Sequence, residues 1–191
     1  MTEYYPMKIS IPRLILHPED IQYIPDNITH ILQQLKSIQL ISESISNADL
    51  YLAGHEFTNL LTFLGCSPNI NLSPDDGDQF CSISIPDSHE NATLLGYTSM
   101  IIPRCPNCKH KITDWKQHFH DWKKADYIYS CSECQTETPV TKLKWRQEAG
   151  YGRFCIAINH IHPHEAVPSE KLLNTLRQTS NTGWSYFYAT N

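Results

Sequence analysis

Two Cys-x-x-Cys pairs constrain this chain more than any other feature of its sequence. The first pair is Cys105-Pro-Asn-Cys108 and the second is Cys131-Ser-Glu-Cys134, with residues 109–130 between them. Tetrahedral coordination of a metal needs four donors from four directions, and two short loops that each present a cysteine pair supply that geometry. We therefore predict that Cys105, Cys108, Cys131 and Cys134 bind Zn2+ in a closed, structural site. An iron site or a redox-active cysteine pair is the alternative, because sulfur tetrahedra also suit iron.

The other cysteines and the composition indicate a globular protein in a reducing compartment. Cys66, Cys81 and Cys155 stand alone among apolar residues, and seven cysteines is an odd number, so we predict buried thiols and no disulfide framework. Of the 191 residues, 40% are hydrophobic and 18% are charged, which suits one moderately large domain or two small ones. The sequence shows no signal peptide and no apolar run long enough to span a bilayer. We expect a cytoplasmic protein that does not contact membranes.

Hydrophobic periodicity predicts strands and helices on the N-terminal side of the cysteines. The predicted elements are a strand over residues 7–17, a helix capped by Asp26 or Asn27, a strand over 50–52, a helix over 57–64 ended by Gly65, and a strand over 80–85. Pro12 lies inside the first of these and lacks a backbone N–H, so it predicts an edge strand or a bulge.

A similar order follows the cysteines. We predict a strand over residues 154–161, a helix that Pro168 opens and Gly183 ends, and a strand over 184–188. Strands and helices on both sides favour an α+β fold, with a mixed or antiparallel sheet and two to four helices. The predicted domains are a discontinuous α+β domain over 1–102 and 147–191, and an inserted zinc ribbon over 103–146.

The cysteine segment resembles zinc-ribbon modules of the rubredoxin-like type. Residues 127–129 lead into the second pair as a strand would, and residues 138–143 can return as its hairpin partner. Such modules often carry glycine after the second cysteine of each pair, whereas Lys109 and Gln135 occupy those positions here, so less regular loops are expected. The whole chain is similar to a family of uncharacterised bacterial zinc-ribbon proteins that share an Ile-Pro-rich run, here residues 11–18; this resemblance implies no activity.

The segment between the cysteine pairs allows two interpretations. Trp115, Phe119 and Trp122 lie at i, i+4 and i+7, on one face of a short helix, with lysines beside them. The face either binds a nucleic-acid strand or packs against the protein, and we favour packing because the positive charge is weak for nucleic-acid binding. The histidines at 118 and 120, and at 160, 162 and 164, have no ligand partner at a diagnostic spacing, so we interpret them as surface residues.

Charge is segregated along the chain and guides the functional prediction. Residues 1–100 carry three basic and twelve acidic residues, whereas residues 101–147 carry nine basic and five acidic ones. No phosphate-binding loop, dinucleotide glycine pattern or nucleophile elbow occurs, so we predict a protein that is not an enzyme. The acidic half favours a basic protein partner, as for an adaptor or an inhibitor of the immunity-protein type. The alternative is a zinc ribbon that binds nucleic acid.

Overall fold

The computed structural model describes residues 11–45, 49–65, 70–74 and 79–190 of the chain. Within these residues the α-helices are α1 (Ile28–Ser37), α2 (Phe57–Leu60), α3 (Phe119–Trp122) and α4 (Glu170–Ser180). The strands are β1 (Arg13–Pro18), β2 (Ile41–Ser44), β3 (Leu50–Ala53), β4 (Leu61–Phe63), β5 (Ser82–Ser84), β6 (Thr93–Tyr97), β7 (Ile128–Ser130), β8 (Glu137–Pro139), β9 (Ala149–Gly152), β10 (Ile156–Asn159), β11 (Ala166–Pro168) and β12 (Trp184–Ala189). Short 3-10 helices cover Trp115–His118 and Val140–Lys142. The predicted α+β class is confirmed.

Six strands form the main sheet, in the order β12-β1-β10-β5-β3-β2, and each neighbouring pair is antiparallel. The strand that begins at Arg13 lies inside this sheet, so the prediction of an edge strand is wrong. Pro12 precedes the strand, where its missing N–H removes no ladder hydrogen bond. Both faces of the strand are buried, because Leu14 and Leu16 pack on one side and Ile15 packs on the other.

The two longer helices cover one face of the main sheet and form the main core with it. Its members include Leu14, Leu16, Ile31, Leu35, Ile83, Ile156, Ile158, Leu172, Leu176 and Trp184. The Asn27 side chain caps α1 by accepting a hydrogen bond from the Thr29 N–H at 2.9 Å, as predicted. The N-cap of α4 is Ser169, one residue after Pro168. The helix ends at Ser180, and its C-cap is Asn181 in the left-handed conformation, not Gly183.

The helix predicted over residues 57–64 is wrong beyond its first turn. The helical segment ends at Leu60, and Leu61–Phe63 forms β4, which pairs antiparallel with β11. Phe57 and Leu60 are buried, but the side chain of Leu64 is 61% exposed. Since the pairing partner lies about a hundred residues away in the sequence, no local pattern could reveal it.

A second group of buried residues, the ribbon core, packs around the cysteine segment. It consists of Ala92, Ile101, Ile112, Trp115, Trp122, Ala125, Val140, Leu143, Trp145, Ala149 and Tyr151. The antiparallel pair β6–β9 contributes to it, so this core draws on residues from both sides of the predicted insertion. The predicted domain boundaries at 103 and 146 stay a prediction. In the described part of the chain, no helix is long and apolar enough to cross a membrane.

Candidate metal centre

The four predicted ligands converge on one point. The sulfur atoms of Cys105, Cys108, Cys131 and Cys134 all lie within 4.8 Å of one another. The Sγ atoms of Cys105 and Cys134 are 3.7 Å apart, and those of Cys108 and Cys131 are 3.6 Å apart. A tetrahedron with Zn–S bonds of about 2.3 Å has edges of about 3.8 Å, whereas a disulfide needs about 2.05 Å. The arrangement therefore has the dimensions of a tetrahedral metal site.

Two copies of one backbone turn hold the sulfurs. The amide of Lys109 donates to the carbonyl of Cys105 at 3.1 Å, and the amide of Gln135 donates to that of Cys131 at 2.8 Å. The same residues adopt left-handed φ angles of 65° and 58°, the conformation for which glycine is usually selected. The expected irregularity of the loops is therefore not seen. Lys109 and Gln135 make the turn at a conformational cost of about 1–2 kcal/mol each.

A hydrogen-bond chain connects the two cysteine loops beside one sulfur. The side-chain amide of Asn107 donates to Oγ1 of Thr136 at 3.1 Å, and Oγ1 lies 3.4 Å from Sγ of Cys134. Since the threonine oxygen accepts from Asn107, its hydrogen can be donated to the cysteine thiolate. Hydrogen bonds from the side chain and backbone of Thr136, and from Asn107, lower the pKa of Cys134 to about 5. This sulfur is therefore ready to bind a cation at neutral pH.

The pKa of Cys108 shifts in the opposite direction. The backbone of His110 lowers the pKa of Cys108, but desolvation and the three other sulfur atoms raise it to about 12. Four thiols at these distances cannot all lose their protons unless a cation compensates the charge. The donor set of four sulfurs fits Zn2+ and excludes a site built for hard cations such as Mg2+ or Ca2+. The geometry leaves open which thiophilic metal is bound.

The aromatic segment between the cysteine pairs is packed. Trp115 and Trp122 are each 1% exposed, and their rings lie 5.3 and 6.1 Å from that of Trp145. The indole of Trp115 donates to the carbonyl of Ile101 at 3.0 Å. The predicted helical face exists, although its first turn is a 3-10 helix and α3 follows. The predicted packing is confirmed, because both indoles are buried within the protein.

The histidines and isolated cysteines do not add a second centre. Among the described residues, only the four-cysteine group brings three or more ligand side chains together. Of the three alternating histidines, His164 faces Glu148 at 4.0 Å. Burial raises the pKa of Cys81 and of Cys155 to about 11, so both stay protonated and unreactive at neutral pH. Cys66 lies outside the described residues.

Four cations lie beside the first cysteine loop and form a feature that was not predicted from the sequence. The backbone of Arg104 forms an antiparallel β-bridge with Lys144 on one side and another with Lys111 on the other side, so the three side chains share one face. The guanidinium of Arg104 also donates to the carbonyl of Lys109 at 3.3 Å. Among the described residues, no carboxylate lies within 4.0 Å of any of these cations. We name Lys144, Arg104, Lys111 and Lys109 the basic row.

Protein families, curated proteins and solved structures were compared, and none matches the chain. The resemblance to a zinc ribbon therefore rests on the four sulfurs and their two turns.

The chemistry of the centre follows from its closure. A metal bound by all four sulfurs keeps no open coordination position for a substrate or an activated water, so its effect is to hold two loops together. One of these loops carries three members of the basic row, because Arg104 precedes Cys105 and both Lys109 and Lys111 follow Cys108. A bound metal would therefore fix the backbone from which these cations extend.

Proposed function

We propose that this chain is a non-enzymatic Zn2+-binding protein that binds nucleic acid through its basic row. The observation that supports this function best is that Lys144, Arg104 and Lys111 lie side by side on three antiparallel segments without a carboxylate partner among the described residues. Like charges placed directly opposite one another destabilise a sheet. A bound polyanion would remove this repulsion.

The spacing of the row suits a phosphate backbone. Side chains on neighbouring strands start about 4.8 Å apart, and the long stems of lysine and arginine allow their charged ends to spread further. Arginine and lysine are the side chains that most often contact phosphate oxygens, arginine through two parallel N–H groups and lysine as a point charge. All three lysines of the row are exposed, and Arg104 is half-buried. The row therefore resembles a short track for consecutive phosphates.

The test is the salt dependence of oligonucleotide binding. Fluorescein-labelled single-stranded DNA, single-stranded RNA and duplex DNA are titrated with the Zn2+-loaded protein, and anisotropy is read at increasing salt. Because up to four phosphates are neutralised, the slope of log K against log salt is expected to be about −3 for single strands. Substituting Arg104→Gln and Lys111→Gln together should make that slope less negative by about 1.4.

The matched control carries the same change of charge at a distant place. Lys36 on α1 and Lys171 on α4 are exposed and belong to helices that pack on the main sheet. The double variant Lys36→Gln/Lys171→Gln should retain wild-type affinity and slope. Absence of binding to all three oligonucleotides at low salt would overturn the proposal, as would an equal loss in the control.

A basic protein partner is the second candidate function. Among the described residues of the first hundred, no carboxylate has a lysine, arginine or histidine within 4.0 Å. These groups are Glu19, Asp20, Asp26, Glu43, Asp49, Glu56, Asp87 and Glu90. Uncompensated acidic groups attract and orient basic proteins. A cytosolic partner that binds the wild type but not the variant Glu43→Gln/Asp49→Asn would support this function, and recovery of no partner would argue against it.

A further inference from the structure

We propose that a groove beside the basic row holds an unpaired nucleobase, so that the protein prefers single-stranded to duplex nucleic acid. This inference rests on the proposed function and specifies its ligand. The groove lies between the first cysteine loop, the 3-10 helix Trp115–His118 and β7. Its volume is about 560 Å3, which is within the range of pockets that bind small ligands. We name it the ribbon groove.

The ribbon groove begins where the basic row ends. Lys111 lies opposite Arg104, on the side away from Lys144, and it also lines the groove. A strand whose phosphates follow Lys144, Arg104 and Lys111 would therefore bring its next nucleoside to the mouth of the groove. The basic row would thus bind phosphates of any sequence, and the adjoining groove would bind the base that follows them.

Aromatic side chains form one wall of the groove. Trp122, Tyr127 and Tyr129 line it, and the rings of Trp122 and Tyr129 meet edge to face at 5.2 Å. Trp122 is buried and holds the wall in place, whereas the two tyrosines are only half-buried. Partly open tyrosine rings on a rigid support are suited to stacking against a planar base.

Polar groups line the rest of the groove. His118 and Asp114 approach each other at 3.9 Å, and the hydroxyls of Thr113 and Ser130 add donors and acceptors. These groups match the hydrogen-bonding edge of a base that has lost its pairing partner. A base inside a duplex is stacked and paired, so it reaches such a groove only after unpairing.

The test compares one oligodeoxynucleotide in single-stranded and duplex form at the same salt concentration. The wild type should bind the single strand at least about tenfold more tightly, since stacking contributes about 1–3 kcal/mol per base. Ser130→Leu and Thr113→Leu place a larger neutral side chain in the groove from opposite walls and leave the basic row intact. Each should weaken single-strand binding by about tenfold and leave duplex binding unchanged.

The control is Thr62→Leu, a similar change at an exposed position of β4 that is remote from the groove. Zn2+ content and tryptophan emission show that each variant is folded. Equal affinity for both forms, wild-type binding by both groove variants, or an equal loss in Thr62→Leu would overturn the inference. In those cases the salt slope and the Arg104→Gln/Lys111→Gln variant still test the proposed function separately, and absence of all binding would overturn both.

Discussion

Removal of the metal should loosen the ribbon core and leave the main core folded. Three of the four tryptophans in the sequence, Trp115, Trp122 and Trp145, are buried together in the ribbon core. The fourth, Trp184, belongs to the main core together with the two longer helices. A spectroscopic signal from tryptophan therefore reports mostly on the ribbon core, while the helical signal in far-ultraviolet circular dichroism reports on the main core.

The expected magnitude follows from the donor set and from the small size of the ribbon core. Structural Zn2+ contributes about 10–16 kcal/mol of apparent binding free energy to the folding of small modules, equivalent to a dissociation constant of about 10⁻⁷ to 10⁻¹² M. The hairpin β7–β8 has only three residues in each strand, and Ile128 on it is 49% exposed. Such a hairpin is marginal in water without another constraint. We therefore expect this part of the chain to be ordered only when the metal is bound.

The assay begins with purified protein and its metal content. One Zn2+ ion per chain is expected, and a strong chelator should shift tryptophan emission to longer wavelength and abolish the near-ultraviolet dichroism. The far-ultraviolet signal of α1 and α4 should change little, and added Zn2+ should restore the emission. Cys108→Ser should lose the metal to a chelator of micromolar affinity, because its sulfur is exposed and its replacement removes a ligand without opening the core.

The matched variant is Cys155→Ser, which replaces a buried cysteine outside the centre and should keep one Zn2+ ion per chain. Full removal of the metal without any change in tryptophan emission would refute the reasoning. The same holds if Cys108→Ser keeps wild-type affinity for Zn2+. Simultaneous loss of the far-ultraviolet signal would show that the two cores unfold together.

Two further predictions concern stability. Gln135→Gly should raise the free energy of unfolding by about 0.5–1 kcal/mol in urea titrations, because relief of the left-handed φ outweighs the added freedom of the unfolded chain. Gln117→Gly, in the 3-10 helix, should lower the free energy of unfolding by a similar amount. Changes of the same sign in the two variants would contradict the reasoning. Burial lowers the pKa of His17, so the unfolded state binds its proton first as pH falls. Stability should therefore decrease below about pH 6.5, the usual pKa of histidine, and the decrease should be smaller in His17→Gln; an identical pH dependence of unfolding in both proteins would contradict this.

Local signals predicted correctly several elements and the four cysteines whose sulfur atoms converge. The spacing within each cysteine pair and the cap at Asn27 are local, because the interacting atoms are a few residues apart. The helix over residues 57–64 and the edge position of β1 were predicted wrongly for the opposite reason. The strand conformation of β4 and the interior position of β1 depend on their pairing partners, Ala166–Pro168 and β12, which lie far away in the sequence. Periodicity cannot reveal which remote strand will pair.

The basic row was visible only in part from the sequence. Arg104 and Lys111 flank the first cysteine loop, and the antiparallel geometry of such a loop places them opposite each other. Lys144 joins them through a bridge that spans forty residues, so its place required the structure. The ribbon groove is similarly non-local, because Thr113 and Ser130 line it together although they come from separate segments of the chain.

The charge of the metal centre offers a competing reason for the basic row. Four thiolates and one Zn2+ ion carry a net charge of about −2, and nearby cations would stabilise them. Two of the four cations would suffice for that compensation; the row would then retain about two positive charges for a ligand, and the salt slope for single strands would fall from about −3 to about −1.4. The two roles differ in what Arg104→Gln/Lys111→Gln changes. If the row serves nucleic acid, the variant loses oligonucleotide affinity and keeps its affinity for Zn2+; if the row only balances the centre, Zn2+ is bound more weakly and oligonucleotide affinity is unchanged.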